Sequence, residues 1–429
     1  MTMNYEDGLF GLFLEEVRAH LPYICHLKIS SDVFFRSLGY ELQHALVSPA
    51  PFLEYFSLFC REDEIRSRAV NHLPDIETLR LFGGSTPRLS CLKLHNCNIT
   101  WNSLLFKGLK HLEILLPHKR ARPTLSIWLD ALKEIPQLNT LILHSASPIA
   151  VHFPIDVERT VTIPSLTLLD ISASLQDCAL AIAHLVLPAL SSLRLAEIHH
   201  SLPNRSAVQE FLHYVVQHVH GPQDIQPLQS VLIRNDGSRL QLLAWPVPDI
   251  DTFVHGPPSS LGATLPTRVM LSFSSISNNC REIFEIMMAI FPLDNLLTLT
   301  AVDLDLVGNL TQLWIRLFPN WPLLRRMRIG ATTSREFIKA LLKDDWGCEN
   351  PLLPSLKELV LHDAMLDDRD QVFGLCDALM KRVEQGVPLE TLDLRMCRTD
   401  TDNSVAVRLL SEIVVDILPP PDFLPNSWV

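Results

Sequence analysis

One short pattern recurs along this chain and limits what it can become. It is an apolar residue, two others, an apolar residue, one other, an apolar residue. The clearest copies are Leu89-Leu92-Leu94, Leu109-Leu112-Ile114 and Leu138-Leu141-Leu143. Leu166-Leu169-Ile171, Leu190-Leu193-Leu195 and Leu228-Val231-Ile233 follow. Beyond them come Leu296-Leu299-Ala301, Leu324-Met327-Ile329, Leu356-Leu359-Leu361 and Leu389-Leu392-Leu394. Ile24-Leu27-Ile29 and Leu53-Phe56-Leu58 precede the series. A degenerate copy ends in Leu271 and Phe273, with Arg268 at its anchor. Alternation of this kind predicts a short strand with one face buried. The anchors advance by about 30 residues on average, which is the range of repeat architectures.

Composition explains how the copies are punctuated. Leucine supplies 76 of 429 residues, proline 30 and glycine only 15. Proline introduces many copies, at Pro22, Pro136, Pro164, Pro188, Pro322, Pro354 and Pro388. It fixes its own φ and disfavours helix in the residue before it, so each helix stops just ahead of a strand.

The intervening segments have helical period. In Ser206–His220, Val208, Phe211, Leu212, Val215, Val216 and Val219 share one face. Further helices are expected over Glu6–His20, Arg36–Leu46, Leu125–Glu134, Leu310–Phe318, Ser334–Asp344, Asp370–Glu384 and Ser404–Ile417. Ser206 with Gln209, Asn279 with Glu282 and Thr333 with Glu336 have the spacing of capping boxes. Strand and helix alternate, so the predicted fold is α/β. It is a leucine-rich repeat solenoid, a horseshoe with a parallel inner sheet and outer helices, in about thirteen irregular repeats of ~30 residues.

The expected organisation is one solenoid over 1–429. A leading helix occupies 1–20, N-terminal repeats 21–230, a hairpin and Pro-rich loop 231–267, C-terminal repeats 268–403, and a terminal helix and tail 404–429. The hairpin reading rests on Asp236-Gly237 between two apolar runs; it either extends the sheet or protrudes. No apolar run reaches the ~18–20 residues of a membrane helix. The start carries acids rather than a secretory leader. Nine cysteines are scattered without a Cys-x-x-Cys. Together these features predict a cytoplasmic or nuclear protein with reduced thiols.

The segment Leu81-Phe82-Gly83-Gly84-Ser85-Thr86-Pro87-Arg88-Leu89, continuing through Leu92, Leu94, Cys97 and Ile99, resembles the leucine-rich-repeat half of F-box-like proteins of mushroom-type fungi. Gly108-Leu109-Lys110-His111-Leu112-Glu113-Ile114 and the hairpin-bearing middle are similar too. The resemblance implies the substrate-recognition region of a cullin-type ubiquitin ligase. In such relatives an upstream F-box, opening with Leu-Pro-x-Glu, binds a Skp-type adaptor. This sequence departs from them there: Leu21-Pro22-Tyr23-Ile24 belongs to a strand copy, so the F-box is expected to be missing or lost. The alternatives are a stand-alone scaffold or decoy with the same repeats, and an enzyme of unrecognised type.

Chemistry is sparse. There is no phosphate loop, no Gly-x-Ser-x-Gly elbow and no Gly-x-Gly-x-x-Gly. Asp400-Thr401-Asp402-Asn403 lacks the glycine and final glutamate of a calcium loop. His199, His200, His213, His218 and His220 miss the spacing of helical metal ligands. No catalytic residue, cofactor or metal is expected, and the expected activity is non-enzymatic. Cys97 and Cys397 occupy the slot where a buried group bonds the turning backbone.

The candidate site is therefore the inner strand face. Slots between core leucines give Lys28, Lys93, His95, His111, Glu113, Asp170, Arg194, Arg234, Arg326, Arg328, Glu358, Asp393 and Arg395. His26, His144 and His362 fill further slots. Seven bases against four acids leave this face at +3 in a chain of net charge −12. That predicts a protein partner with an acidic or phosphorylated segment, with Arg326 and Arg328 as a fork. The acidic chain argues against nucleic acid and anionic membranes.

Overall fold

A computed structural model describes residues 2–5, 10–31, 44–60, 81–97, 101, 106–116, 122–150, 155, 157–199, 205–220, 226–235, 239–248, 267–274, 280–302, 304, 310–342, 351–365, 369–398 and 404–420. Two compact units divide the chain. The first comprises Met1–Ile198 with Gln217–Gln223, the second His199–Val216 with Asp224–Val429. Both are α/β with mostly parallel strands.

In the first unit the elements are β1 (Thr2–Tyr5), α1 (Phe10–His20), β2 (His26–Ser31), β3 (Tyr55–Cys60), β4 (Cys91–His95), β5 (His111–Leu115), α2 (Leu125–Lys133), β6 (Thr140–His144), β7 (Val161–Thr162), β8 (Leu168–Ser172), α3 (Leu175–Ala183), β9 (Leu185–Val186) and β10 (Ser192–His199). The sheet runs β1-β2-β3-β4-β5-β6-β8-β10, each neighbour parallel. β7 and β9 form a separate parallel pair.

Each predicted copy in this unit lands on a strand that starts two residues after its anchor. The in-phase register stacks Leu27, Phe56, Leu92, Leu112, Leu141, Leu169 and Leu193 in one buried row. Ile29, Leu58, Leu94, Ile114, Leu143, Ile171 and Leu195 form the next, also buried. No single copy hides these side chains; the neighbour in register does.

α4 (Arg205–His220) carries the predicted apolar stripe, with Val208, Phe211, Leu212, Val215 and Val219 buried. Phe211 meets Phe273 edge-on.

The second unit holds β11 (Ser230–Asn235), β12 (Arg239–Trp245), β13 (Val269–Ser274), α5 (Cys280–Ile290), β14 (Thr298–Val302), α6 (Leu310–Leu317), β15 (Arg326–Gly330), α7 (Ala331–Leu342), β16 (Glu358–Met365), α8 (Arg369–Glu384), β17 (Thr391–Arg398), α9 (Ser404–Ser411) and β18 (Asp416–Leu418). Its strand order is β13-β12-β11-β14-β15-β16-β17-β18. The hairpin extends the sheet rather than protruding: β12 runs antiparallel between β11 and β13. From β11 onward the pairing is parallel. Trp314 anchors the core here, packed against Phe284, Phe318, Trp321 and Phe337.

Three expectations change. The predicted helix Ser404–Ile417 ends at Ser411, and Asp416–Leu418 is a strand. Ile413-Val414-Val415 is a β-branched run, stiff against the preceding helical turn. Thr333 lies inside α7 and its hydroxyl bonds the Gly330 carbonyl at 3.0 Å, so it does not cap that helix. A strand, β1, precedes the leading helix, whose described part begins at Phe10. The Arg36–Leu46 helix falls largely outside the described residues, as do Asn279 and Asp400–Asn403.

Among the described residues, no helix is long and apolar enough to cross a membrane. Seven of the cysteines there are thiols outside any disulfide.

Candidate partner-binding face

On β2 to β10, residues that alternate with the core leucines point to the opposite face of the first unit's sheet. Its middle row reads Lys28, Ser57, Lys93, Glu113, Ile142, Asp170, Arg194. The flanking rows contribute His26, Tyr55, Cys91 and His111 on one side, and Phe59, His95 and His144 on the other. Strands in a sheet lie about 4.8 Å apart, so these rows form a continuous ladder of side chains.

Glu113 is the hub. Lys93 Nζ lies 2.8 Å from its Oε2, His95 Nε2 2.7 Å from its Oε1, and His111 Nε2 3.3 Å from its Oε2. The carboxyl is held well below the usual carboxylate range. Hydrogen bonding to His111 and then His95 does most of this; burial opposes it, and Lys93 adds to the lowering. Burial pulls the Lys93 ammonium down, but its bond to Glu113 and that charge lift it above its ordinary value. Burial raises the Cys91 thiol beside them. Aromatic rings border the cluster. Phe59 meets His95 edge-on at 5.7 Å, and Tyr55 meets His26 at 6.0 Å.

Beyond this hub the charges alternate. Asp170 stands in register with Arg194 and lies 3.4 Å from His144 Nε2. Lys28 is exposed at the other end of the row. Lys93, His95, His111 and Glu113 thus form one constellation, Asp170, Arg194 and His144 a second, and Lys28 an outlier. Tyr55 and Phe59 belong to the same face but not to the predicted set. The alternation that singled out Lys93 reaches them too, because Leu53-Phe56-Leu58 places both in slots facing away from the core.

The second unit behaves differently, and several predicted positions are not displayed. Arg328 and Asp393 are each only 5 % exposed. Arg326 pairs with Glu358 on the adjacent strand at 2.9 Å. The two arginines therefore do not stand as an open fork for a phosphate. Arg234 Nε donates to Gln241 Oε1 at 2.7 Å. Asp393 accepts from the Arg395 backbone and twice from its guanidinium, at 3.0, 3.0 and 2.7 Å. Burial raises the Asp393 carboxyl, but those bonds and the Arg328 charge bring it below its ordinary value. His362 pairs with Asp363 at 3.0 Å. Leu232, Leu243, Trp245 and Val302 form a buried apolar cluster on this side, with Met270 against it. The Ser230 and Thr298 hydroxyls donate to the Val247 and Pro248 carbonyls, so the chain leaving β12 passes the starts of β11 and β14.

The remaining sequence candidates resolve locally. Cys97 Sγ reaches the His95 carbonyl at 3.2 Å, and Cys397 Sγ the Leu361 carbonyl at 3.5 Å. Burial pushes the Cys397 thiol up to about 12, so it stays protonated. His213 bonds the Gln209 carbonyl and His218 the Ile182 carbonyl. Among the described residues no three His, Cys, Asp or Glu side chains are grouped to hold a metal. No protein-family model matches the chain, and no curated protein is significantly similar to it in sequence.

Proposed function

We propose that the chain is a non-enzymatic protein-interaction module of the leucine-rich repeat type, and that its partner docks on the face carrying Lys28, Lys93, His95, His111 and Glu113. One observation carries this reading. A ladder of partly exposed charged, imidazole and aromatic side chains sits on strands whose other face is wholly core. Such a surface has the polar rim and aromatic content of a recognition patch rather than of a folding contact. The partner segment is acidic or phosphorylated, because Lys28 and Lys93 outnumber the carboxylate of Glu113 at that end of the row.

The segment Leu81–Leu89 and the Gly108–Ile114 copy further support a role as the substrate-recognition region of a cullin-type ubiquitin ligase whose F-box is missing or lost from this sequence, a Skp-type adaptor being a partner only where an F-box accompanies the repeats. A stand-alone scaffold is the alternative. Charge reversal of Lys28 and Lys93 together should weaken capture of the native partner by about tenfold or more, as loss of paired charges at an interface does. Unchanged capture with an unchanged melting curve would remove the face from consideration. Co-purification of the native full-length product with the Skp-type adaptor separates the ligase reading from the scaffold reading.

A further inference from the structure

Three donors converge on the Glu113 carboxylate, and two of them are imidazoles. A carboxylate only accepts, so His95 and His111 both donate to it from Nε2. In a neutral ring that leaves Nδ1 without a proton. The carboxyl itself stays ionised at any mild pH, held low first by its bonds to His111 and His95. Histidine is the side chain that changes charge between about pH 5 and 8. The side chains of His95 and His111 are 22 % and 25 % exposed, so protons from solvent reach them. An arriving proton goes to Nδ1 and leaves both bonds to Glu113 intact.

The charge of the constellation follows from this. With both rings neutral, Lys93 and Glu113 cancel. With both rings protonated, the net charge is +2. Among the described residues no second carboxylate pairs with Lys93, His95 or His111 to absorb that gain. On the described strands the facing groups are few. β3 presents Tyr55, β4 Cys91, and β6 Ile142 with His144. Beyond them stand His26 and Lys28 on β2 and Asp170 on β8. Lys110 and Glu54 are exposed just before the strands. Burial raises the Cys91 thiol, so it stays neutral over this range. His26 and His144 also titrate as histidines do, and their protons add charge of the same sign.

We propose that Lys93, His95, His111 and Glu113 form a proton-coupled anion site, which binds the carboxylates of an acidic partner segment together with protons on His95 and His111. This rests on the docking face proposed above and adds how that docking is regulated. Glu113 holds both imidazoles in place and cancels Lys93 until they are charged. Docking of an acidic segment therefore strengthens as pH falls, and by linkage a bound segment draws protons onto the two rings. Carboxylates fit this coupling better than phosphates. A phosphate monoester loses charge near pH ~6, just where the rings gain it, whereas glutamate stays ionised down to about pH 4.3.

The probe is a fluorescein-labelled peptide of about eight glutamates, read by anisotropy against the full chain at low salt. Its affinity should rise about tenfold or more between about pH 7.5 and 5.5, as added charge complementarity does. His95→Gln with His111→Gln should remove most of that rise. Glutamine keeps an N–H for Glu113, and a melting curve at each pH checks that the fold is retained. Glu113→Gln should raise affinity at about pH 7.5, which loss of a purely structural bond would not do. A peptide with phosphoserine at every second position should gain less from the same pH change; an equal gain would overturn the choice of carboxylates. An undiminished rise in the double histidine variant overturns the proposal, because other groups would then carry it. Equal binding at both pH values, lost on Lys28→Glu with Lys93→Glu, overturns the proton coupling and leaves docking on this face standing. No binding at either pH overturns both.

Discussion

At Arg382 a charge is held in the core without a carboxylate. Its guanidinium donates to the carbonyls of Leu352, Leu353 and Leu356, at 2.8, 3.2 and 3.1 Å. These carbonyls lie on the turn that delivers the chain from α7 to β16, where Leu353 takes a φ of 50°. Burial alone lowers the Arg382 guanidinium to about 10, so its charge costs stability at neutral pH and the three carbonyls offset that cost. Replacing it with alanine strands three acceptors and should lower the free energy of unfolding by about 2–4 kcal/mol in a urea titration. Glu113 makes the opposite contribution. Its carboxyl is held below the ordinary range, so the stability it supplies is complete above pH about 4.5 and is lost as pH falls below that. The Glu113→Gln variant should therefore show a shallower loss of melting temperature between pH about 5 and 3 than the parent. An identical slope would mean that the cluster does not stabilise the fold.

Elements show which parts of this architecture the sequence discloses. Every copy of the leucine pattern becomes a strand, because alternation on a half-buried strand is enforced by two faces with different solvents. Even Arg268, an improbable anchor, precedes a strand whose Leu271 and Phe273 are buried. Elements outside the pattern are less legible. β18 is three residues long and β7 and β9 two each, too short for any period. The second half of α3 runs into an almost uniformly apolar stretch, Ala179–Leu187, in which no stripe marks a helix. Its start is nevertheless capped: Ser174 Oγ accepts from the Asp177 amide at 3.3 Å. Ser174→Ala should cost about 1 kcal/mol by thermal or urea unfolding. On β5 and its neighbour β6 the two faces can be compared directly. Leu112→Ala should cost about 2–5 kcal/mol through loss of burial and the cavity left behind. Ile142→Thr on β6, on the opposite face, should cost about 1 kcal/mol or less. Comparable losses at the two positions would contradict the assignment of one core face.

For the molecule, the sequence places the candidate residues on the sheet face opposite the core leucines and misjudges which of them remain accessible. Strand alternation identifies the side opposite the leucines for Lys93 and for Arg328 alike. It carries no information about what lies over that side, and Arg328 is buried while Lys93 is not. Pairing is similarly hidden. The register that brings Glu113 beside Lys93, or Glu358 beside Arg326, joins residues about 20 to 30 positions apart and is set by core packing rather than by the charged residues themselves. The hairpin in the second unit has a consequence for the order of events in folding. β11 and β12 meet after a short local closure, whereas each parallel pair must wait for an intervening connection. Hairpins form in about 1–10 µs, ahead of long-range pairing, so this one is expected to seed the unit, with β13 adding on one side and β14 on the other. Leu242→Ala should then slow refolding in stopped-flow measurements, while Leu392→Ala in β17 should chiefly speed unfolding. The reversed strand β12 is thus expected to supply the second unit's earliest contact, with the parallel strands added after it.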